Sequence, residues 1–300
     1  MPDRPAVIYQ YDGTLAGLLC CVFAVYQDRQ PPAEIQSEDS PQEWLYPIRA
    51  VETDPDKAAR VHDALGRKVC PLAQEWVETA FLYGGGGKEM AIYRFVRLAL
   101  QRGAAVVQMT GHPAVTPLYD CRRAVLGEAH HLMGFVRFAD LGGLLVSEIT
   151  PKHFVLPLLE PHFSDRFPQE QFLIHDKTHG AVLAYRPHQS RITFIQGLEL
   201  PPAGAEELLF QRLWQGYFGA AAIAARANPL CQRTHCPKRH WANMTELSGR
   251  GDLLPGGVSK APPPATVTLA PGAAPAPPLA PGGPHPLPLA PASGQEPGIL

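Results

Sequence analysis

The spacing of apolar residues changes near Leu132, and this change constrains the fold more than any other feature of the sequence. Side chains repeat about every 3.6 residues in a helix and every two in a strand. We therefore predict helices at 15–26, 56–66, 70–83, 88–101, 117–132, 157–167 and 208–225. We predict strands at 6–11, 45–51, 134–139, 144–150, 172–175, 181–185 and 191–195. The order contains no strand–helix–strand alternation, so we expect an α+β fold: an antiparallel sheet of about five strands with helices before, within and after it.

Composition divides the chain near Ser248. Residues 249–300 are rich in Pro, Ala and Gly, and beyond Gly256 their only charged side chains are Lys260 and Glu296. Proline removes a backbone donor and fixes φ, so such a run builds neither helix nor sheet. We predict a single α+β domain over 1–248 and a disordered Pro/Ala/Gly-rich tail or linker over 249–300.

Charge and cysteine content exclude several classes of protein. The net charge of −2 argues against a strongly basic coat, although a local basic patch remains compatible with it. The cysteines are irregularly spaced, which is atypical of a disulfide scaffold. The N-terminus lacks the basic and apolar regions of a signal peptide, and no apolar run reaches the roughly 18 residues of a membrane span. We expect a cytoplasmic protein that does not enter a membrane.

Histidines interleave with the predicted strands, which points to a site. His153 follows one strand, the pair His175 and Asp176 ends another, and Arg166 lies on the short helix between them. If the two strand ends approach each other, these four residues fit phosphate binding or phosphoester chemistry. The alternative is a set of edge histidines that satisfy local hydrogen bonds.

A second candidate for acid–base chemistry is the helical group Glu128, His130 and His131. A carboxylate three residues from an imidazole can orient the ring and raise its basicity. An exposed helix pair is the competing interpretation. We predict no cofactor and assign no metal ligands, but a divalent metal on the histidines stays an open alternative.

Two further motifs resemble a zinc knuckle and a phosphate loop but do not match either pattern. Cys231 and Cys236 with nearby histidines resemble a zinc knuckle but lack a second arm at suitable spacing. The glycine run 84–87 before Lys88 lacks the Ser or Thr of a phosphate loop, so we predict a plain helix–helix connection there.

The segment 226–239 is locally basic and free of acidic residues. Cationic side chains beside an aromatic ring can contact phosphates and stack on a base. A solvated helix end with a buried tryptophan would give the same pattern. The nucleic-acid-binding candidates are Arg226, Arg233, Lys238, Arg239 and Trp241, together with Arg94 and Arg97 on an earlier helix.

Several stretches of the sequence together resemble one bacterial family. They read YDGTLAGLLCCVFAVY (11–26), IYRFVRLAL (92–100), GFVRF (134–138), PKHFVLPLLEPHFSDRF (151–167), FLIHD (172–176), and LWQGYF with ARANPLCQRTHCPKRHW (213–241). The family is a domain of unknown function assigned to DNA metabolism or DNA repair, and the resemblance covers about residues 8–243. Its members accompany a radical SAM protein for DNA repair, and related versions resemble the N-terminal part of fusions with a uracil-DNA glycosylase-like domain.

The resemblance matches positions but transfers no catalytic role. The residues that coincide with recurrent family positions are Asp12, Gly13, His130, Arg137, His153, His162, Arg166, His175, Asp176, Asn228, Pro229, Arg239 and Trp241. The family implies an accessory protein of DNA repair or DNA metabolism, with a radical SAM or uracil-DNA glycosylase-like protein as its partner. A hydrolase or lyase acting on a nucleotide or phosphoester and a protein–protein scaffold stay open as alternatives, and so does whether the chain is an enzyme.

Overall fold

The computed structural model describes residues 7–39, 46–195 and 197–248, so the predicted tail at 249–300 lies outside the described residues. Within them the chain forms an α+β fold, which confirms the predicted fold class. One sheet has three strands and the other has five. No helix among these residues is long and apolar enough to cross a lipid bilayer.

The first sheet contains a strand–helix–strand unit that the sequence did not predict. Strand β1 (Val7–Tyr11) lies between β2 (Pro32–Ser37) and β3 (Ile48–Ala50) and runs parallel to both. Helix α1 (Leu15–Asp28) connects β1 to β2, and Thr14 caps it by accepting the N–H of Gly17 at 3.0 Å. The expectation of no such alternation is wrong here, because β2 reads PAEIQS and carries too few apolar residues to mark a strand.

Four further helices join α1 and β1 in the largest core, as their apolar spacing predicted. They are α2 (Pro55–Ala64), α3 (Pro71–Phe81), α4 (Lys88–Arg102) and α5 (Thr116–Phe135). Asp54 caps α2 by accepting the N–H groups of Asp56 and Lys57, with proline at the first helical position. Burial of Ile92, Phe95, Val96 and Ala99 confirms the apolar face that the sequence assigned to α4.

The second sheet has five strands, the number that the sequence predicted. Its order follows the chain: β4 (Ala139–Asp140), β5 (Leu144–Ile149), β6 (Gln171–Asp176), β7 (Ala181–Arg186) and β8 (Gln189–Phe194). All pairings are antiparallel except β5 with β6, which run parallel because helix α6 (Leu156–Arg166) crosses between them. The strand predicted at 134–139 is wrong, since α5 continues to Phe135 and β4 is only two residues long.

The C-terminal part of the described chain consists of helices α7 (Ala205–Ala221) and α8 (Pro229–His235) and a short 3₁₀ turn at Lys238–Asn243. Helix α7 buries none of its residues. Beyond it, Trp241, Met244 and Leu247 form a small apolar cluster against Phe135 and Phe218.

The glycine run joins the helical half of the molecule to the second sheet. It connects α3 to α4, as predicted, and the N–H of Gly84 donates to Nδ1 of His153 at 3.1 Å. Next to this bond, the N–H of Phe154 donates to the carbonyl oxygen of Leu82 at 3.0 Å. A Cβ atom on Gly84 would collide with the backbone carbonyl oxygen of Lys152. The close approach of two backbones therefore requires glycine here.

We predict that Gly84→Ala lowers the free energy of unfolding by about 2 kcal/mol, because the new methyl group must push the two backbones apart. Gly86→Ala is the matched control, since a Cβ atom there meets nothing within 4 Å. This variant should lose less than about 0.5 kcal/mol of unfolding free energy. Urea denaturation of both variants measures the difference. Equal stabilities would show that this junction does not hold the two halves together.

Candidate functional site

Glu128 is a buried carboxylate at the centre of the region that carries the predicted site residues. It lies on α5 and is only 5% exposed. Its Oε2 accepts the backbone N–H groups of Lys152 and His153 at 2.9 and 2.8 Å. Its Oε1 accepts from Nη2 of Arg239 at 2.9 Å. Glu128 therefore fastens two distant segments to α5, and its contacts are structural rather than those of a free acid or base.

The His153 ring is held by two neighbouring residues, Gly84 and Tyr83. Its Nδ1 accepts the Gly84 N–H, so a proton on the neutral ring resides on Nε2. The ring of Tyr83 stacks on the imidazole with centroids 4.7 Å apart. Burial lowers the pKa of His153, although the negative charge of Glu128 opposes this shift. The residue is a neutral, positioned imidazole near neutral pH.

His175 and Asp176 end β6, as predicted, but they meet different partners. His175 is opposite Glu148 of β5, with its Nδ1 3.5 Å from Glu148 Oε1. Asp176 is fully buried and accepts the N–H groups of Thr178 and His179 in the following turn.

Asp176 also makes a short hydrogen bond of 2.6 Å to Nδ1 of His179, a residue that the sequence analysis missed. A carboxylate that holds Nδ1 fixes the tautomer and leaves Nε2 to act as a proton acceptor. The ring of Phe154 packs edge-on against the His179 imidazole at 5.5 Å. The sequence signal for this pair is the Asp-x-x-His spacing of Asp176 and His179. The prediction from the sequence covered only the end of the strand at His175 and Asp176 and did not extend to the turn that follows.

The remaining predicted acid–base residues do not join this group. Arg166 lines a cleft whose described lining contains no histidine, and its guanidinium lies 5.6 Å from the Phe167 ring centroid. His130 is exposed on α5, with its ring 6.5 Å from that of His131. The sequence predicted that Arg166 clusters with His153, His175 and Asp176. The structure places Arg166 in a different cleft, so this part of the prediction is wrong.

The zinc-knuckle residues behave as separate groups. Cys231 is exposed with its Sγ 3.5 Å from Nδ1 of His235, whereas Cys236 faces the sulfur of Met244. His240 is buried against Phe135, and neither of its ring nitrogens has a hydrogen-bond partner among the described residues. Within the described ranges no group of three or more His, Cys, Asp or Glu side chains has the arrangement of a metal site.

The predicted nucleic-acid-binding residues divide into two sets. Arg226, Arg233 and Lys238 are exposed. Arg239 is paired with the buried Glu128, and Trp241 is only 8% exposed, with its Nε1 donating to the Cys236 carbonyl oxygen. The stacking platform expected at Trp241 must be corrected to a core position, because an aromatic ring packed in a cluster cannot receive a base.

Arg94 and Arg97 are exposed on α4, as their positions on the helix predicted. Helix α4 contacts β2 of the first sheet, so these two arginines belong to the N-terminal side of the molecule. Their role in binding stays a prediction.

A second ion pair fastens the C-terminal segment. Arg137 donates from Nε and Nη2 to the two carboxylate oxygens of Glu246 at 3.2 and 2.7 Å. The indole Nε1 of Trp214 on α7 donates to the same carboxylate at 3.0 Å. Burial alone would raise the pKa of Glu246, but the hydrogen bonds from Arg137 and Trp214 outweigh it and lower that pKa. Glu246 is therefore charged across the physiological range.

An aromatic cleft of about 620 Å³ lies beside this ion pair. The residues that line the cleft are Met133, Gly134, Val136, Arg137, Phe138, Leu145, Phe163, Arg166, Phe167, Glu207, Phe210, Gln211, Trp214 and Thr245. A smaller cavity of about 250 Å³ shares Arg137 and Phe138 with it. Sequence analysis missed the cleft, because its walls come from segments far apart in the chain.

The chain belongs to the family described as Domain of unknown function (DUF4130), whose model matches residues 86–246. The matched range contains the second sheet, both ion pairs and the whole aromatic cleft. It is narrower than the range 8–243 over which the resemblance was expected. No curated protein matches the chain.

We predict that Arg239→Ala lowers the free energy of unfolding by about 2 kcal/mol, because it strands the buried Glu128 carboxylate without its cation. The matched control is Arg233→Ala, an exposed arginine of the same segment whose loss should cost less than about 0.5 kcal/mol. Chemical denaturation compares the two. Similar stabilities would mean that Arg239 is a surface cation available to a ligand.

A pH-dependent loss of stability should trace to His240. Burial, reinforced by the charge of Arg239, lowers the pKa of His240 to about 4. Below pH about 6.5, His240 is therefore protonated in the unfolded chain but stays neutral in the folded chain until the pH approaches 4. Stability from this residue is complete above that pH and is lost as the pH falls towards 4, by on the order of 3 kcal/mol.

We predict that His240→Leu flattens the dependence of Tm on pH between 7 and about 4.5, since leucine does not titrate. His130→Leu is the control, because His130 is exposed. An unaltered pH profile in the His240 variant would assign the acid sensitivity to other groups.

Proposed function

We propose that this protein contacts DNA as an accessory factor of DNA repair or DNA metabolism. The observation that carries the proposal is the cationic segment, residues 208–245. It contains no Asp or Glu and includes Arg212, Arg226, Arg233, Lys238 and Arg239. Since the whole chain has a net charge of −2, this concentration of positive charge is local. Such a segment is the electrostatic feature expected of a surface that binds a polyanion such as DNA.

Exposure of the cationic side chains supports the proposal. Arg212, Arg226, Arg233 and Lys238 are all exposed, whereas Arg239 is held by Glu128. Arg212 and Arg233 each donate through Nε to a backbone carbonyl one helical turn earlier, which leaves their terminal nitrogens for other acceptors. Phosphate oxygens are the acceptors that arginine pairs with best.

Exposed aromatic rings accompany the charge. Trp214 and Tyr217 on α7 stack with centroids 5.7 Å apart, and they are 41% and 65% exposed. Cationic grooves that carry exposed aromatic rings bind single strands, because every base can stack on such a ring. The stacking function expected at Trp241 is thus better supported at these two rings.

The family resemblance supplies the biological setting of the proposal. It points to a radical SAM DNA repair protein or a uracil-DNA glycosylase-like protein as the partner that processes the DNA. The proposed role for this chain is to hold nucleic acid near such an enzyme.

The two alternative functions each draw on one observation. The Asp176–His179 pair has the geometry of a positioned base and favours a hydrolase acting on a phosphoester. Asp176 also accepts two N–H groups of its own turn, which gives the pair a structural role without a substrate. The uncovered apolar side chains of α7, including Leu209 and Leu213, favour a protein–protein scaffold. The cationic segment supports DNA contact more directly than either.

We predict that changing Arg226, Arg233 and Lys238 together to alanine weakens binding of single-stranded DNA at least tenfold at low salt. Each lost phosphate contact should also reduce the slope of log affinity against log salt by about 0.7. Fluorescence anisotropy of a labelled oligonucleotide over a salt series measures both quantities.

The matched control changes Lys68, Arg102 and Arg191 to alanine, which removes the same charge from exposed positions outside the cationic segment. Its affinity should stay within about twofold of the parent. If both triple variants bind alike, or the parent does not bind DNA, the proposal fails and the scaffold becomes the better account.

A further inference from the structure

The aromatic cleft combines flat apolar walls with one available cation, and we infer that it binds a single nucleotide through its base and its phosphate. The inference deepens the proposed function and rests on it in one respect: the nucleotide could belong to a DNA strand held by the cationic segment. The cleft would equally take a free nucleoside monophosphate, so the two ideas can fail separately.

One wall of the cleft is a rigid set of phenylalanine rings. Phe138 meets Phe163 and Phe167 edge-on, with centroid distances of 5.3 and 5.4 Å. Such edge-to-face contacts fix the orientation of each ring. Phe163 is 2% exposed, which anchors this wall in the second core. A planar ligand therefore meets a surface that is already shaped.

Helix α7 supplies the other aromatic rings that line the cleft. Phe210 is 58% exposed and Trp214 is 41% exposed, so both present ring surface at the cleft. The bond from Trp214 Nε1 to Glu246 holds the indole in place, and Tyr217 stacks against the same ring. Aromatic rings that line a cavity suit a planar heterocycle such as a nucleobase, because stacking is tolerant of base identity.

Arg166 supplies the charge. It is exposed at the C-terminal end of α6 and forms none of the ion pairs found among the described residues. The one carboxylate that lines the described cleft, Glu207, accepts hydrogen bonds from Gln211 and from the Asp140 N–H. Arg137, the other cation of the cleft, already donates to Glu246 and to two backbone carbonyl oxygens. Arg166 is thus the guanidinium that is ready to pair with an incoming phosphate.

Polar groups and size agree with the same ligand. Gln211 donates through its amide nitrogen to Glu207, and no described residue hydrogen-bonds to its amide oxygen. That oxygen can accept from an exocyclic amine or ring N–H of a base. The cleft volume of about 620 Å³ lies within the range of about 300 to 1,000 Å³ typical of small-ligand sites.

The test measures binding of thymidine 5′-monophosphate to the full chain by isothermal titration calorimetry. Thymidine and deoxyribose 5-phosphate, which lack the phosphate and the base respectively, should each bind at least tenfold more weakly. Arg166→Ala should weaken binding of the monophosphate about tenfold by removing the anion partner. Phe210→Ala should weaken it about fivefold by removing a stacking surface. Arg191→Ala, an exposed arginine on β8, is the control and should leave the affinity unchanged.

A second arm identifies the source of the nucleotide. Single-stranded oligothymidylate is compared with an abasic oligomer of the same length. If only the oligothymidylate binds, with sensitivity to Arg166→Ala and to removal of the bases, the cleft reads a nucleotide within a strand. If the monophosphate binds and the oligomers do not, the inference holds while the proposed DNA contact fails. If neither ligand responds to Arg166→Ala or Phe210→Ala more than to Arg191→Ala, the inference is overturned.

Discussion

The buried Glu128 carboxylate is the contact on which the C-terminal half of this structure depends. A charge in this position is stable only when donors surround it, and three donors from two segments do so here. The β5–α6 connection brings the N–H groups of Lys152 and His153, and the turn after α8 brings Arg239. Because all of them must be present together, the position of His153 and the course of the cationic segment are set by the same side chain.

The Arg137–Glu246 pair extends this arrangement to the cleft. Glu246 is 3% exposed and receives Arg137 from the end of α5 and Trp214 from α7. Helix α7 has no fully buried residue, so polar contacts of this kind orient it together with the packing of Phe218 against the Trp241 cluster. The two ion pairs also sort the cations of the region. Arg137 and Arg239 neutralise buried carboxylates, whereas Arg166, Arg226 and Arg233 are exposed at the surface.

Local patterns predicted the elements well and the site only in part. Apolar spacing located α2 to α5 and β5 to β7, because each buries a face whose period is visible in the sequence. Strand β2 escaped, since Ile35 is its one well-buried apolar side chain. Arg239 and Trp241 looked like a binding surface because nothing local reveals an ion pair that spans 111 residues. The cleft was invisible for the same reason: Phe138, Phe167 and Phe210 come from three separate segments.

The family match begins at residue 86, but residues before it help to position the candidate site around His153 and Glu128. Gly84 donates to His153, and Tyr83 stacks on the same ring. The far side of α5 is covered by α3, where Glu75 pairs with Arg122 and Trp76 packs against Tyr119. Helix α5 thus presents Glu128 towards the second sheet because its other face is already buried by the N-terminal helices. A fragment that starts at residue 86 would expose that face and lose a ring partner of His153, so the N-terminal segment is part of what positions the site.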